Sequence, residues 1–239
     1  MNSTFLNKYD LIIFDCDGVL IDVNPLKCEA FGKAVGNYSS VIVESFVNHC
    51  KETFGISRYV KFKEFFNDFA KEPFQEEKYN LFLINYANIC KEIYGGADIT
   101  PGGEYLLLEL SNLNKYLFVA SGSDEKELYD VFINKNLSKY FSGIYGSPKT
   151  KLECTSLILK NHPNKKAVFI GDSLSDFVTA KEYDIDFIYM SKYTVQSKER
   201  DILCRQGANL VINTLEELSK INVNEYENDN CLYVKSEIR

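Results

Sequence analysis

Five short apolar runs narrow the fold of this chain more than any other feature: Leu11–Phe14, Leu117–Ala120, Ala167–Ile170, Phe187–Met190 and Leu210–Ile212. Each is too short for a helix and is bounded by turn or acidic residues, so each reads as a strand. A strand with one wet face would alternate apolar and polar side chains, whereas these runs are apolar throughout, as parallel strands covered on both faces are. Helical patterns separate the later runs, at Asp124–Asn134, Glu153–Lys160 and Asp176–Glu182. Strands alternating with helices predict an α/β fold, a Rossmann-like, doubly wound parallel sheet.

Between Asn24 and Asp98 that rhythm stops. Phe62, Phe65, Phe66 and Phe69 fall at helical spacing, and Tyr79, Phe82, Leu83, Tyr86, Ile89, Cys90 and Ile93 continue it, with no strand pattern among them. Such stripes predict core packing, with lining of a ligand pocket as the alternative. Gly95-Gly96 and Pro101-Gly102-Gly103 punctuate the return to the strand-helix pattern. A length of 239 residues admits one large domain or one domain with an insertion. The pattern selects the second: residues 1–22 and 99–222 as an α/β core, 23–98 as a helical insertion, and 223–239 as a polar tail.

Composition removes several kinds of partner. Lys and Arg number 27 against 34 Asp and Glu, a net charge of −7, so nothing basic is left over to neutralise a nucleic acid or an anionic membrane surface. The seven cysteines (Cys16, Cys28, Cys50, Cys90, Cys154, Cys204 and Cys231) contain no Cys-x-x-Cys pair and read as reduced, buried thiols. The first residues lack the basic and apolar regions of a signal peptide, which predicts a cytoplasmic location. With only His49 and His162 available, any metal must be held mostly by carboxylates.

The first strand runs into Asp15-Cys16-Asp17-Gly18, and ligands of open parallel sheets sit beyond such carboxyl ends. Alone this is no more than a turn, and it makes a poor calcium loop, because the Gly comes early and Leu26 stands at the twelfth position. The second strand ends in Ala120-Ser121-Gly122-Ser123 before a helix whose start carries an Asp124/Glu127 capping pattern, together an anion site. Ala167–Ile170 ends in Gly171-Asp172-Ser173-Leu174-Ser175-Asp176, and Gly146-Ser147-Pro148-Lys149-Thr150-Lys151 offers a cation ahead of another helix. Caps and solvated charges account for each piece singly. The conjunction of four acids, a hydroxyl with free amides and a lysine is what phosphoryl transfer needs.

In order and spacing, these four motifs resemble those of the haloacid dehalogenase superfamily of phosphotransferases, over Tyr9 to Leu218. The helical insertion resembles that superfamily's C1 cap, as in phosphoglycolate phosphatases and β-phosphoglucomutases, and Gly55-Ile56-Ser57-Arg58 resembles the mutases' Gly-Val-Ser-Arg loop. The resemblance implies a phosphoric monoester hydrolase acting on a small phosphorylated metabolite, a sugar phosphate or phospho-acid. It implies Asp15 as nucleophile and Asp17 as general acid and base. Mg²⁺ would be held by Asp15, the Asp17 carbonyl and Asp172, with Asp176 behind them, and the phosphoryl oxygens by Ser121 and Gly122.

Two departures stand out. Many relatives read Lys-Pro-x-Pro where this chain has Pro148-Lys149-Thr150-Lys151, so Lys151, directly before a helical run, is the favoured motif lysine and Lys149 the alternative. Many C1 relatives also carry Asp-Ser/Thr and then a His, where this chain has Asp22-Val23 and Lys27. Without that His a hexose-phosphate mutase ranks below a phosphatase. Lys27 and Arg58 are then either substrate contacts or solvated surface cations. Gly171-Asp172-Ser173-Leu174 also matches the Gly-Asp-Ser-Leu esterases with Ser173 as nucleophile. Those need a late Asp-x-x-His, which neither His49 nor His162 supplies, and the reading is rejected.

Overall fold

Six strands, β1 (Leu11–Phe14), β2 (Tyr116–Asp124), β3 (Gly143–Ser147), β4 (Ala167–Gly171), β5 (Asp186–Met190) and β6 (Leu210–Ile212), form one parallel sheet in the order β3-β2-β1-β4-β5-β6. The computed structural model describes residues 5–220, and the polar tail expected at 223–239 lies outside the described residues. All four side chains of β1 are fully buried, Leu11 and Ile13 in one core and Ile12 and Phe14 in the other. Burying each contributes roughly 1.5–3 kcal/mol, which anchors the strand that carries the first acidic motif.

Helices cover both faces. In chain order they are α1 (Asn24–Ala34), α2 (Ser40–Glu52), α3 (Arg58–Glu64), α4 (Glu76–Gly96), α5 (Gly103–Asn112), α6 (Glu125–Asn134), α7 (Lys151–Asn161), α8 (Leu174–Glu182), α9 (Lys198–Gly207) and α10 (Leu215–Leu218). Cys154, Ile158, Ala180 and Cys204 bring α7, α8 and α9 onto one face. Leu107, Leu128, Phe132 and Leu215 bring α5, α6 and α10 onto the other. The doubly wound sheet is thus as predicted, with one strand more than the apolar runs revealed. β3 lies at the sheet edge and reads Gly-Ile-Tyr-Gly-Ser, a position that needs no continuous apolar run.

Helices α1 to α4 make up the insertion, around a core of aromatic rings. Phe31 and Tyr86 lie 4.2 Å apart between centroids, and Phe46 and Phe65 4.8 Å. The periodic aromatics therefore pack as core, with one local difference. Residues Phe65–Ala70 widen into a π-helical turn, which allows the adjacent Phe65 and Phe66 both to be buried, the first against Tyr38 and Phe46 and the second against Phe74 and Phe82. The chain leaves and re-enters the sheet domain side by side: Asp22 N donates to Asp98 O and Thr100 N to Leu20 O, with Ile21 bridged to Ile99. Among the described residues no helix is long and apolar enough to cross a membrane. The six described cysteines are free and buried, and Cys231 lies outside the described residues.

Candidate active site

Strand order reverses direction between β1 and β4, and a parallel sheet opens a crevice for ligands at the carboxyl ends of strands on either side of such a switch. Asp15 follows β1 and its amide donates to Ile170 O of β4, which fixes it at that switch. Asp172 follows β4, and Ser121 to Ser123 lie where the β2–β3 register slips between Ala120 and Asp124. The three acidic and hydroxyl motifs converge because their strands are neighbours.

Asp15 is 1% exposed. Its Oδ1 accepts from Cys16 N at 2.7 Å and its Oδ2 from Lys151 Nζ at 2.8 Å. Burial pushes its carboxyl up to about 7 even though Lys151 opposes the shift, and the nearby Asp176 and Asp17 charges add to it. Lys151, the first residue of α7, also donates to Asp176 Oδ1 at 2.5 Å. Burial alone would lower its pKa, but the charges of Asp15 and Asp176 raise it above the ordinary lysine value. Lys149 instead reaches Glu125 at 3.0 Å on the half-exposed rim, so Lys151 and not Lys149 meets Asp15. Lys151 heads α7 behind its cap Thr150, whereas Lys149 stays in the loop before that cap, a difference that spacing alone does not reveal.

Asp172 is fully buried. Its Oδ2 accepts from Asn24 Nδ2 at 2.5 Å, while its Oδ1 has no partner. Burial, then the charges of Asp15 and Asp176, hold its carboxyl well above the usual range. Both oxygens of Asp176 are taken, one by Lys151 and the other by the amide and hydroxyl of Ser173. One atom from each of Asp15, Asp172 and Asp176 lies within 4.8 Å of the others. Gly18 makes this approach possible. Its φ is +77°, and a Cβ there would stand 2.1 Å from Asn24 Nδ2 and 2.3 Å from Asp172 Oδ2.

Asp17 is clamped by three donors, Lys27 Nζ at 2.5 Å, Tyr94 OH at 2.6 Å and Ser123 Oγ at 2.7 Å. Burial pushes its carboxyl up, but the Lys27 ammonium and the hydrogen bonds outweigh it and leave the group below its ordinary value. Lys27 is 3% exposed and Arg58 4%, so neither is a solvated surface cation. Nor is either free of protein carboxylates: Arg58 makes a two-pronged pair with Glu127 at 2.6 and 2.5 Å, its guanidinium 4.5 Å from the Tyr86 ring centre. That pair ties α3 to α6. It also diverts Glu127 from capping, which Asp124 does alone by accepting from the amides of Lys126 and Glu127. Tyr94, Asn24 and Ser123 were not singled out by the sequence as partners of the acids. Tyr94 and Asn24 sit on helical stripes, where nothing in the pattern separates them from core or surface positions.

Above the acids lies the loop before α3. Gly55 has φ +86°, a Cβ on it would stand 3.1 Å from Lys151 Nζ, and one on Gly122 would stand 2.2 Å from Gly55 O. Asp15, Asp17, Ser121, Gly122, Phe54 and Lys61 are among the residues lining a cavity of about 30 Å³ between insertion and sheet. That is room for about one water molecule. Ser173, the esterase alternative, bonds Asp176 and Ser175. His49 pairs with Glu64 and His162 with Ile158 O, which leaves Ser173 without an imidazole.

Comparison with known proteins places this geometry. The sequence pattern of haloacid dehalogenase-like hydrolases matches residues 12–190. The chain is 25% identical over 193 residues to a phosphorylated carbohydrates phosphatase of Thermotoga maritima, covering 75% of this chain and 84% of that protein. It shares its fold with a predicted phosphatase from Clostridium acetobutylicum, at a TM-score of 0.70, 23% identity and coverage of 91% and 99% of the two chains. A predicted phosphoglycolate phosphatase from Haemophilus somnus is similar at a TM-score of 0.70 and 16% identity, over 90% and 98% of the two chains. With three-quarters of its length matching that pattern and its acids gathered at the sheet's switch point, the chain belongs to the haloacid dehalogenase-like hydrolase family.

Proposed function

We propose that this protein is a Mg²⁺-dependent phosphatase that hydrolyses a small phosphorylated metabolite, a sugar phosphate or phospho-acid, through a phosphoryl group carried on Asp15. The observation that carries the reading is one buried cluster, Asp15 bonded to Lys151 and flanked by Asp172 and Asp17, at the β1/β4 switch. The Thermotoga relative named for phosphorylated carbohydrates supports the substrate class.

The residues fit a divalent cation. Asp15 and Asp172 are buried beside each other, and Asp172 Oδ1 is a buried oxygen with no partner. Asp15, Asp172 and the Asp17 carbonyl would hold Mg²⁺, and Asp176, whose oxygens are both engaged, would stand behind them. When bound, the ion offsets the repulsion between the anionic ester and the anionic nucleophile.

Asp15 attacks phosphorus and the ester oxygen leaves with a proton from Asp17, which then takes a proton from the water that attacks the phosphoryl group on Asp15. Lys27, Tyr94 and Ser123 hold Asp17 in the ionised form that the second step needs, and the incoming phosphate dianion works the other way by raising its proton affinity. Lys151 fixes the attacking carboxylate, and Ser121 and the Gly122 amide hold phosphoryl oxygens. The helical insertion serves as the cap, hinged where residues 20–22 run beside 98–100. A phosphate-release screen over a metabolite panel, with and without Mg²⁺, tests the reading. Metal-dependent release from at least one ester is expected, and release from none would overturn it. Isomerised sugar phosphate in place of free phosphate would mark the mutase instead.

Protons compete with the cation. An acid raised from 3.8 to about 7 on folding destabilises the metal-free protein increasingly as pH climbs between those values, and a bound cation reverses that cost. The rise in Tm on adding Mg²⁺ should therefore be larger at about pH 8 than at about pH 5.5. Thermal unfolding at the two pH values checks this, and an equal rise at both would contradict it.

A further inference from the structure

Lys61 is the one cation lining the cavity that has no carboxylate partner among the described residues. Lys27 pairs with Asp17 and Arg58 with Glu127. Lys61, one turn into α3, is 1% exposed. Its ammonium donates to Cys50 O at 2.9 Å and lies 4.9 Å from the ring centre of Phe31 and 5.9 Å from that of Phe54. One of three N–H donors is thus spent on a backbone carbonyl, and the aromatic faces compensate only part of the lost hydration. Burial lowers its pKa, which is the sign of an ammonium short of negative charge.

A buried charge without a counterion is costly, and a methionine or leucine would fill this aromatic surround without that cost. The position makes sense when the counterion arrives with the ligand. Ser121 and Gly122 border the same cavity on the side of Asp15, while Lys61 comes from the cap.

We propose that Lys61 docks a second anionic group of the substrate, a carboxylate or a further phosphate at the end remote from the scissile ester. The preferred substrates are therefore phosphate esters of acids or bisphosphates, not monophosphates of neutral polyols. This rests on the phosphatase reading of the site, and it narrows that reading by giving the cap a charge requirement.

Three matched probes test it: the monophosphate of propanediol, phosphooxypropanoate and propanediol bisphosphate. The intact protein with Mg²⁺ should turn over at least one of the two doubly anionic probes about tenfold more efficiently than the neutral one. Lys61→Met should cost that probe about 10–100-fold in kcat/KM, mostly through KM, and cost the neutral probe distinctly less. The preferred arm tells carboxylate from phosphate. A wild type that prefers the neutral probe, or a variant that loses all three equally, would overturn the proposal.

Thermal shift with phosphonoacetate against ethylphosphonate, both in excess Mg²⁺, separates this proposal from the reading on which it rests. If no ester is hydrolysed yet phosphonoacetate stabilises the wild type more than Lys61→Met, hydrolysis fails and the docking role stands. If the two proteins respond alike, the docking role fails. Lys61→Met also removes an uncompensated buried charge, so its unfolding temperature should not fall. A collapse of folding would contradict the premise that the ammonium lacks a partner.

Discussion

Asp15→Asn is expected to lower phosphate release by at least about 10⁴-fold, because the amide keeps the shape of the carboxylate and loses its nucleophilicity. The fold should not suffer. Asparagine keeps one oxygen, enough for one of the two donors that now bond separate oxygens of Asp15, Cys16 N and Lys151 Nζ, and Lys151 keeps Asp176 as its charged partner. The replaced carboxyl is one that burial and its acidic neighbours push up to about 7, so its removal relieves the metal-free protein at neutral pH. In chelator the variant should unfold at or above the wild-type temperature, by roughly 2–4 °C for each kcal/mol relieved. The same substitution removes a metal ligand, so the upward shift in Tm on adding Mg²⁺ should shrink. Loss of activity together with loss of folding would instead make Asp15 a structural residue.

Lys151→Met should act on both activity and stability. It leaves Asp15 and Asp176 without their shared cation in a site where all three side chains are 4% exposed or less. Breaking a buried pair from one side costs roughly 3–5 kcal/mol. In chelator that corresponds to a fall in Tm on the order of 10 °C, partly recovered by Mg²⁺. Turnover should fall about 10²–10³-fold, because the nucleophile loses the group that orients it. Lys149→Met removes a rim pair with Glu125 and should change stability by less than about 0.5 kcal/mol. Kinetics and thermal unfolding of the two variants side by side check which lysine serves the site. Equal losses would contradict the assignment.

The acids could be located from the chain because chemistry and topology coincide there. Leu11–Phe14 and Ala167–Ile170 are apolar enough to be read as buried strands, and in a doubly wound sheet whatever follows such strands faces the crevice. Strand β3 escaped because an edge position tolerates Gly143 and Gly146. Lys27 and Arg58 were legible as cations yet not as buried ones. Their burial depends on Asp17 and Glu127, which lie 10 and 69 residues away along the chain. Tyr94, 77 residues from Asp17, looks in sequence like one more aromatic of the α4 stripe. Lys61 was the least visible of all. In sequence it is a lysine between Val60 and Phe62, and only the packing of α3 against Phe31 turns it inward. Helical periodicity assigns a residue to a face, and which groups that face meets is decided by long-range packing.

The covalent phosphoryl group proposed on Asp15 would be caught by acid-quenched rapid mixing. The wild type and Asp17→Asn would each be mixed with a hydrolysed ester and Mg²⁺, stopped in acid within milliseconds, digested, and the peptide containing Asp15 weighed. That peptide should gain the mass of one phosphoryl group in both proteins, since Asp17→Asn slows formation and discharge alike, and not at all in Asp15→Asn. Continuing release of phosphate with no phosphoryl group on that peptide in either protein would contradict the account.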